Sequence, residues 1–206
     1  MSDDAEGAAP RTHVVRLGSQ QVTLPLARLT EDLGIALLIT VDLGVGFCDR
    51  AGSELADVIG DREVQVVASV ATMGIPVAME VTRHLGLDQY VVFHKTPKIH
   101  LRDAVGEPVR SITTATPQRL LLDRARVPLL AGRRVAVVDD VVSTGASVAA
   151  ALRLVRSVGG EPVAVAALAT EGEGWRSLLG DDADLVHALG TLPLFDPHDD
   201  GTFTPR

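Results

Sequence analysis

The chain has one cysteine, Cys48, in 206 residues, so it can form no internal disulfide and holds no cysteine-rich metal cluster. Lysine is almost as scarce: 17 of the 19 basic residues are arginine, and the two lysines, Lys95 and Lys98, stand three positions apart. Against 27 acidic residues the net charge is -8, which disfavours an extended nucleic-acid footprint, because tracking phosphates needs a dense basic face. A site for a single anion remains open. The longest nearly apolar stretch, Val66 to Met79, is interrupted by Ser69, Thr72 and Pro76 and falls short of the ~20 residues of a membrane span. The opening MSDDAEGAAPR is acidic and lacks the basic and then apolar order of a secretory signal. The expectation is a cytoplasmic protein with no nucleic-acid or membrane partner.

What is present is apolar. Hydrophobic residues make up 46% and glycine contributes 19 more positions, a share above the ~45–50% of ordinary soluble domains. At ~150 residues per domain, 206 residues suggest one core with an appendage. In segment 12–41, THVVRL, QVTLPL and IALLIT read as two or three strands of a small antiparallel or mixed element. AGSELADVI reads as a short helix, EVQVVASVA as a buried strand, and PVAMEVTRHL as a helix with proline at its first position. YVVF, RRVAVVDD, PVAVAALA and DLVHAL read as further strands, and SVAAALRLVRSVGG as a helix closed by glycines. LGVGFCD, with Asp49 where a dinucleotide fingerprint needs glycine or alanine, reads as a loop. Alternating strands and helices imply an α/β fold: an open, mainly parallel sheet covered on both faces, plus the small N-terminal strand-rich unit.

The most informative block is VAVVDDVVSTGAS, residues 135–147. An uncharged strand delivers Asp139 and Asp140 to its C-terminal edge, where open parallel sheets bind ligands. Ser143, Thr144, Gly145, Ala146 and Ser147 then open a helix and can turn successive N–H groups and hydroxyls toward one anion. The aspartates cannot themselves favour an anion, so they call for sugar hydroxyls or a cation. Taken singly, a strand-end aspartate also reads as a helix cap and STG as an ordinary turn. Together they describe a pocket for a phosphorylated sugar. The loop has no lysine of the G-x-x-x-x-G-K-[ST] type, and no G-x-G-x-x-G follows a strand.

VVDDVVSTGAS resembles the phosphoribosyl-pyrophosphate signature of the type I phosphoribosyltransferases, and the resemblance spans roughly residues 60–170. It implies that Asp139 and Asp140 bind ribose hydroxyls and that Ser143–Ser147 bind the 5-phosphate. It further implies that Ala71, Thr72 and Met73 wrap the pyrophosphate with backbone amides, with Lys95, Lys98 and His100 of HKTPKIH adding charge. Lys95 joins the acid pair as a catalytic candidate. The resemblance implies a Mg2+ ion carried by the donor and no other metal, a purine base under the N-terminal hood near Leu38, Ile39 and Thr40, a lid over 99–118, and a homodimer.

The long interval from His100 to Asp139 favours the purine branch, adenine- or xanthine-like, over the orotate enzymes. Three departures bear on the base: Met73 stands where the adenine enzymes have arginine, Thr114, Ala115 and Thr116 where they carry a carboxylate, and IALLITVD lacks their Arg-Asp pair. A non-catalytic sensor of the same donor and a binder of another phosphosugar stay open beside the transferase reading. The expected organisation is a disordered 1–11, the hood and its lead-in at 12–50, the core at 51–195 and a frayed polar tail at 196–206.

Overall fold

The computed structural model describes residues 11–101, 103–109 and 118–206. In chain order the elements begin with β1 (Thr12–Leu17), β2 (Gln20–Thr30), β3 (Leu33–Ala36), α1 (Thr40–Leu43), α2 (Val45–Ile59), β4 (Val66–Val70), α3 (Gly74–His84) and β5 (Tyr90–Phe93). They continue with β6 (Ala104–Val109), β7 (Gln118–Asp123), α4 (Val127–Leu130), β8 (Arg134–Val142) and α5 (Ala146–Ser157). The last are β9 (Glu161–Glu171), α6 (Gly174–Leu179), β10 (Val186–Leu192), β11 (Phe195–Pro197) and β12 (Phe203–Pro205).

The core sheet has the order β10-β9-β8-β4-β5, and every neighbouring pair is parallel. Numbered along the sheet's own strands this is 2-1-3-4-5, a doubly wound order whose direction reverses between β4 and β8. The β8 run Val135–Val138 is wholly buried, and its alternate residues feed two cores. Ala136 and Val138 join α2, α3 and the hood, whereas Val135 and Val137 join α4, α5, α6 and β7. On α2 the buried residues Phe47, Ala51, Leu55 and Ile59 recur every four positions, the stripe of a helix that packs one face. Burying each such aliphatic or aromatic side chain contributes about 1.5–3 kcal/mol.

Several expectations fail here: of IALLIT only Ile35 and Ala36 lie in β3, and Thr40 opens α1. The segment read as a loop, LGVGFCD, belongs mostly to α2: Phe47 and Cys48 are buried against the core, and this packing overrides the weak helix preference of the flanking glycines. The C-terminal tail is not frayed. β11 pairs with β3 and with β12, so 195–205 completes a five-stranded antiparallel hood in the order β1-β2-β3-β11-β12, with Phe195 buried and edge-on to His13 and Phe203. Pro76 lies at the third residue of α3, which begins at Gly74. Much of the weak segment before β8 is a hairpin, β6 against β7, packed on α5 and tied by Arg153 to Glu107 at 2.6 Å. The expected N-terminal disorder, apart from Arg11, and the tip of the expected lid, 110–117 with Thr114, Ala115 and Thr116, lie outside the described residues. No helix among the described residues is long and apolar enough to cross a membrane.

Candidate active site

Register brings the two motifs together. Ser69 of β4 pairs with Val138 of β8, so the loop that leaves β4 after Val70 and the acid pair that follows Val138 reach the same edge. That edge is the switch point, where the outgoing connections diverge to opposite faces and leave a crevice.

Asp139 is 7% exposed and Asp140 is half-buried. The Asp139 Oδ1 accepts from the Asp140 amide at 3.0 Å. Burial, and then the neighbouring Asp140 carboxylate, push the Asp139 carboxyl well above the usual carboxylate range, and the Lys95 ammonium pulls the other way. Lys95 thus sits within electrostatic reach of the pair while remaining exposed. Lys98 is exposed on the same connection, and the His100 side chain lies outside the described residues.

After β8 the chain turns through Ser143 and Thr144 to Gly145, the N-cap of α5, at φ +80. L side chains rarely adopt that conformation, and a Cβ there would also stand 3.2 Å from the Cβ of buried Trp175. Gly145 itself brings no side chain to cap the first turn. Thr144 Oγ1 accepts from the Ala146 amide at 3.3 Å, and Ser147 is half-buried. A twelve-residue helix with an uncapped start adds a partial positive charge at that point.

The opposite wall is the loop 71–73. Ala71 N–H donates to Phe93 O at 2.9 Å, the Ala71–Thr72 peptide is cis, and Thr72 is exposed. Gly74 begins α3 directly against the acid pair: a Cβ on it would lie 2.7 Å from Ser69 Oγ, 2.9 Å from Asp139 Oδ1 and 3.0 Å from Asp139 Cα.

The hood residues divide. Thr40 is fully buried and its hydroxyl donates to Met73 O at 2.7 Å, so it holds the 71–73 loop and is not placed to touch a base. Leu38 is buried in the core, and Ile39 alone of the three is partly open. Two further residues carry no local signal in the sequence. Glu171, at the end of β9 and 8% exposed, accepts from Ser143 Oγ at 2.6 Å, and burial raises its carboxyl while that bond lowers it. Ser69 is wholly buried beneath Gly74. Two open clefts lie elsewhere, along Asp88–Val92 and at the end of α3. They hold none of these groups.

A doubly wound sheet with an acid pair and an anion-binding helix start at its switch point defines a phosphosugar-binding α/β protein. The phosphoribosyl transferase domain family matches residues 48–187, more than half of the chain, and the chain belongs to that family. Among curated relatives, the orotate phosphoribosyltransferase of Desulforamulus reducens is 34% identical over 132 residues, 64% of this chain and 58% of that protein. The transcriptional regulator GfcR of Methanocella arvoryzae is 31% identical over 108 residues, 52% of this chain and 47% of that protein. The chain therefore spans about half to three-fifths of the length of these relatives. Among solved structures, the adenine phosphoribosyltransferase of Rhodothermus marinus superposes with a TM-score of 0.60 at 25% identity, covering 69% of this chain and 78% of that one.

Proposed function

We propose that this chain transfers the 5-phosphoribosyl group of phosphoribosyl pyrophosphate to a ring nitrogen of a purine base. The bond from ribose C1 to the pyrophosphate oxygen breaks, pyrophosphate leaves with the electron pair, and the base nitrogen forms the new bond to C1 and releases its ring proton to solvent. The observation that carries this reading is the convergence of the acid pair, the uncapped start of α5 and Lys95 at one sheet edge.

Each group has a task that its chemistry suits. The carboxylates of Asp139 and Asp140 accept from the ribose hydroxyls, and a charged acceptor makes the stronger bond. The amides of 143–147 hold the 5-phosphate at the positive end of α5. The Ala71 amide is spent on Phe93 O, which leaves the amides of Thr72 and Met73 for the pyrophosphate, and Lys95, with Lys98 and His100 on the same connection, supplies charge as the leaving group gains it. A Mg2+ ion would arrive on the donor, and the two carboxylates are the hard oxygen ligands such an ion takes. The hairpin β6–β7 carries the lid whose closure excludes water.

Lys95→Arg is expected to lower turnover roughly tenfold despite keeping the charge, because a planar guanidinium does not replace a compact ammonium aimed at one oxygen. Steady-state kinetics with saturating donor check this. Thr40→Val is expected to cost about 0.5–1.5 kcal/mol by removing the hydrogen bond that ties α1 to the 71–73 loop, and to raise the donor KM. Thermal denaturation and a donor titration measure the two effects.

The purine assignment draws on the adenine enzyme and on the long hairpin interval between His100 and Asp139. The orotate relative makes orotate the comparison base. Incubation of labelled donor with adenine, hypoxanthine, guanine, xanthine and orotate should give a nucleotide with a purine; formation with orotate alone, or with no base, contradicts the proposal. The regulator among the relatives favours a second reading, a donor sensor without turnover, and tight donor binding with no nucleotide in that panel would select it.

A further inference from the structure

Away from the sheet edge, α2 and α3 carry a second polar cluster at their mutual interface. Asp49 of α2 and Glu80 and His84 of α3 each direct one potential ligand atom into a space where all three lie within 4.8 Å of one another. Glu80 and His84 are four residues apart, one above the other on the same helical face. His84 Nε2 and Asp49 Oδ1 are 3.0 Å apart.

The buried member is the telling one. Glu80 is 2% exposed, and its Oε2 has no hydrogen-bond partner among the described residues. Arg83 approaches that oxygen at 3.1 Å, but its own side chain is 66% exposed. A carboxylate taken out of water costs several kcal/mol unless its charge is matched at close range, and a largely solvated guanidinium matches it poorly. Gly52 of α2 faces Glu80 so closely that a Cβ there would collide with the Glu80 Cβ, which sets the helix spacing at this point.

We propose that Asp49, Glu80 and His84 bind a transition-metal dication of the zinc type that clamps α2 to α3. One imidazole nitrogen and two carboxylate oxygens are a donor set that zinc accepts, with a remaining position for water. Bonds of about 2.0–2.2 Å place tetrahedral ligand atoms roughly 3.4 Å apart, close to the His84–Asp49 separation already present. Arg83 swings into solvent as the ion enters. The site is separate from the acid pair, and its role is to lock the helix pair whose α3 begins at Gly74 beside Asp139.

The test is a titration of the full chain with Co2+, read by visible absorption, followed by displacement with Zn2+ and by thermal denaturation. The expected result is one equivalent of a low-symmetry Co2+ spectrum that Zn2+ abolishes, with a Tm several degrees higher in Zn2+. His84→Gln and Asp49→Asn, both at accessible side chains, should lose spectrum and shift, while a variant with Asp139→Asn and Asp140→Asn keeps them. Absence of the spectrum and of the Tm shift in the native chain overturns the proposal. So does a spectrum that survives His84→Gln and Asp49→Asn, or one that disappears only in the acid-pair variant.

Discussion

Asp139→Asn is expected to reduce phosphoribosyl transfer about 10²- to 10³-fold while making the ligand-free protein more stable at neutral pH. The loss follows from removing a charged acceptor at a preorganised site, where one electrostatic group is worth about that factor. The gain follows from linkage. Burial and Asp140 raise the folded-state pKa of Asp139 above its unfolded value. The stabilising share of such a group is fully present below the unfolded pKa, near ~4, and is lost as pH rises through the folded value. At neutral pH folding therefore costs either the desolvation of that carboxylate or its protonation, a cost that asparagine removes, and asparagine keeps an oxygen for the Asp140 amide. The Tm difference should be a few degrees at neutral pH and shrink as the pH falls toward 4. Thermal denaturation across that range, paired with transfer assays, measures both halves. A variant less stable than the native chain at neutral pH contradicts the electrostatic description of the site.

Gly74→Ala should be nearly as damaging, by a steric route. The added methyl meets Ser69 Oγ at 2.7 Å and the Asp139 backbone at 3.0 Å, and real Cβ atoms essentially never approach below 3.0 Å. Neither neighbour is a flexible surface group: Ser69 is wholly buried in β4, and Asp139 lies within β8. The start of α3 must move away from the acid pair. Overpacking of this kind costs about 1–3 kcal/mol. Displacing the 71–73 loop by even ~1 Å should lower transfer roughly a hundredfold. Urea denaturation and steady-state kinetics provide the measurements, and an alanine variant with native kinetics would show that the loop and the acid pair are not mechanically joined.

The parts of this arrangement written locally could be read from the sequence. β8 declares itself by an uncharged, β-branched run ending in Asp139 and Asp140, and the loop after it by Ser143, Thr144 and Gly145. The reversal between β4 and β8 is implied by alternation of strands and helices but depends on pairing across some seventy residues, which no local pattern specifies. Thr40 reads as a base contact because it lies in the hood segment; only the fold shows its hydroxyl spent on Met73, 33 positions away. Glu171 is 28 residues from Ser143, and nothing around either residue announces the bond between them. The tail was unreadable for a different reason. Its strands are three residues each, Phe-Asp-Pro and Phe-Thr-Pro, too short to show a period, and they form because β3 offers an edge to pair with.

The scarcity of lysine also gains a location. Lys95, one of two lysines against 17 arginines, is within electrostatic reach of the one acidic side chain that burial perturbs most strongly at the sheet edge. Lys98 stands three positions further along the same connection.

The central claim is that this edge recognises a phosphorylated ribose carrying pyrophosphate, and calorimetric titration of the full chain with the Mg2+ complex of phosphoribosyl pyrophosphate tests it most directly. The predicted result is saturable binding at one site per chain, weakened for ribose 5-phosphate, which lacks the pyrophosphate, and lost when Asp139 and Asp140 are both asparagine. Absence of binding by the native chain, or binding unchanged in that double variant, would contradict it.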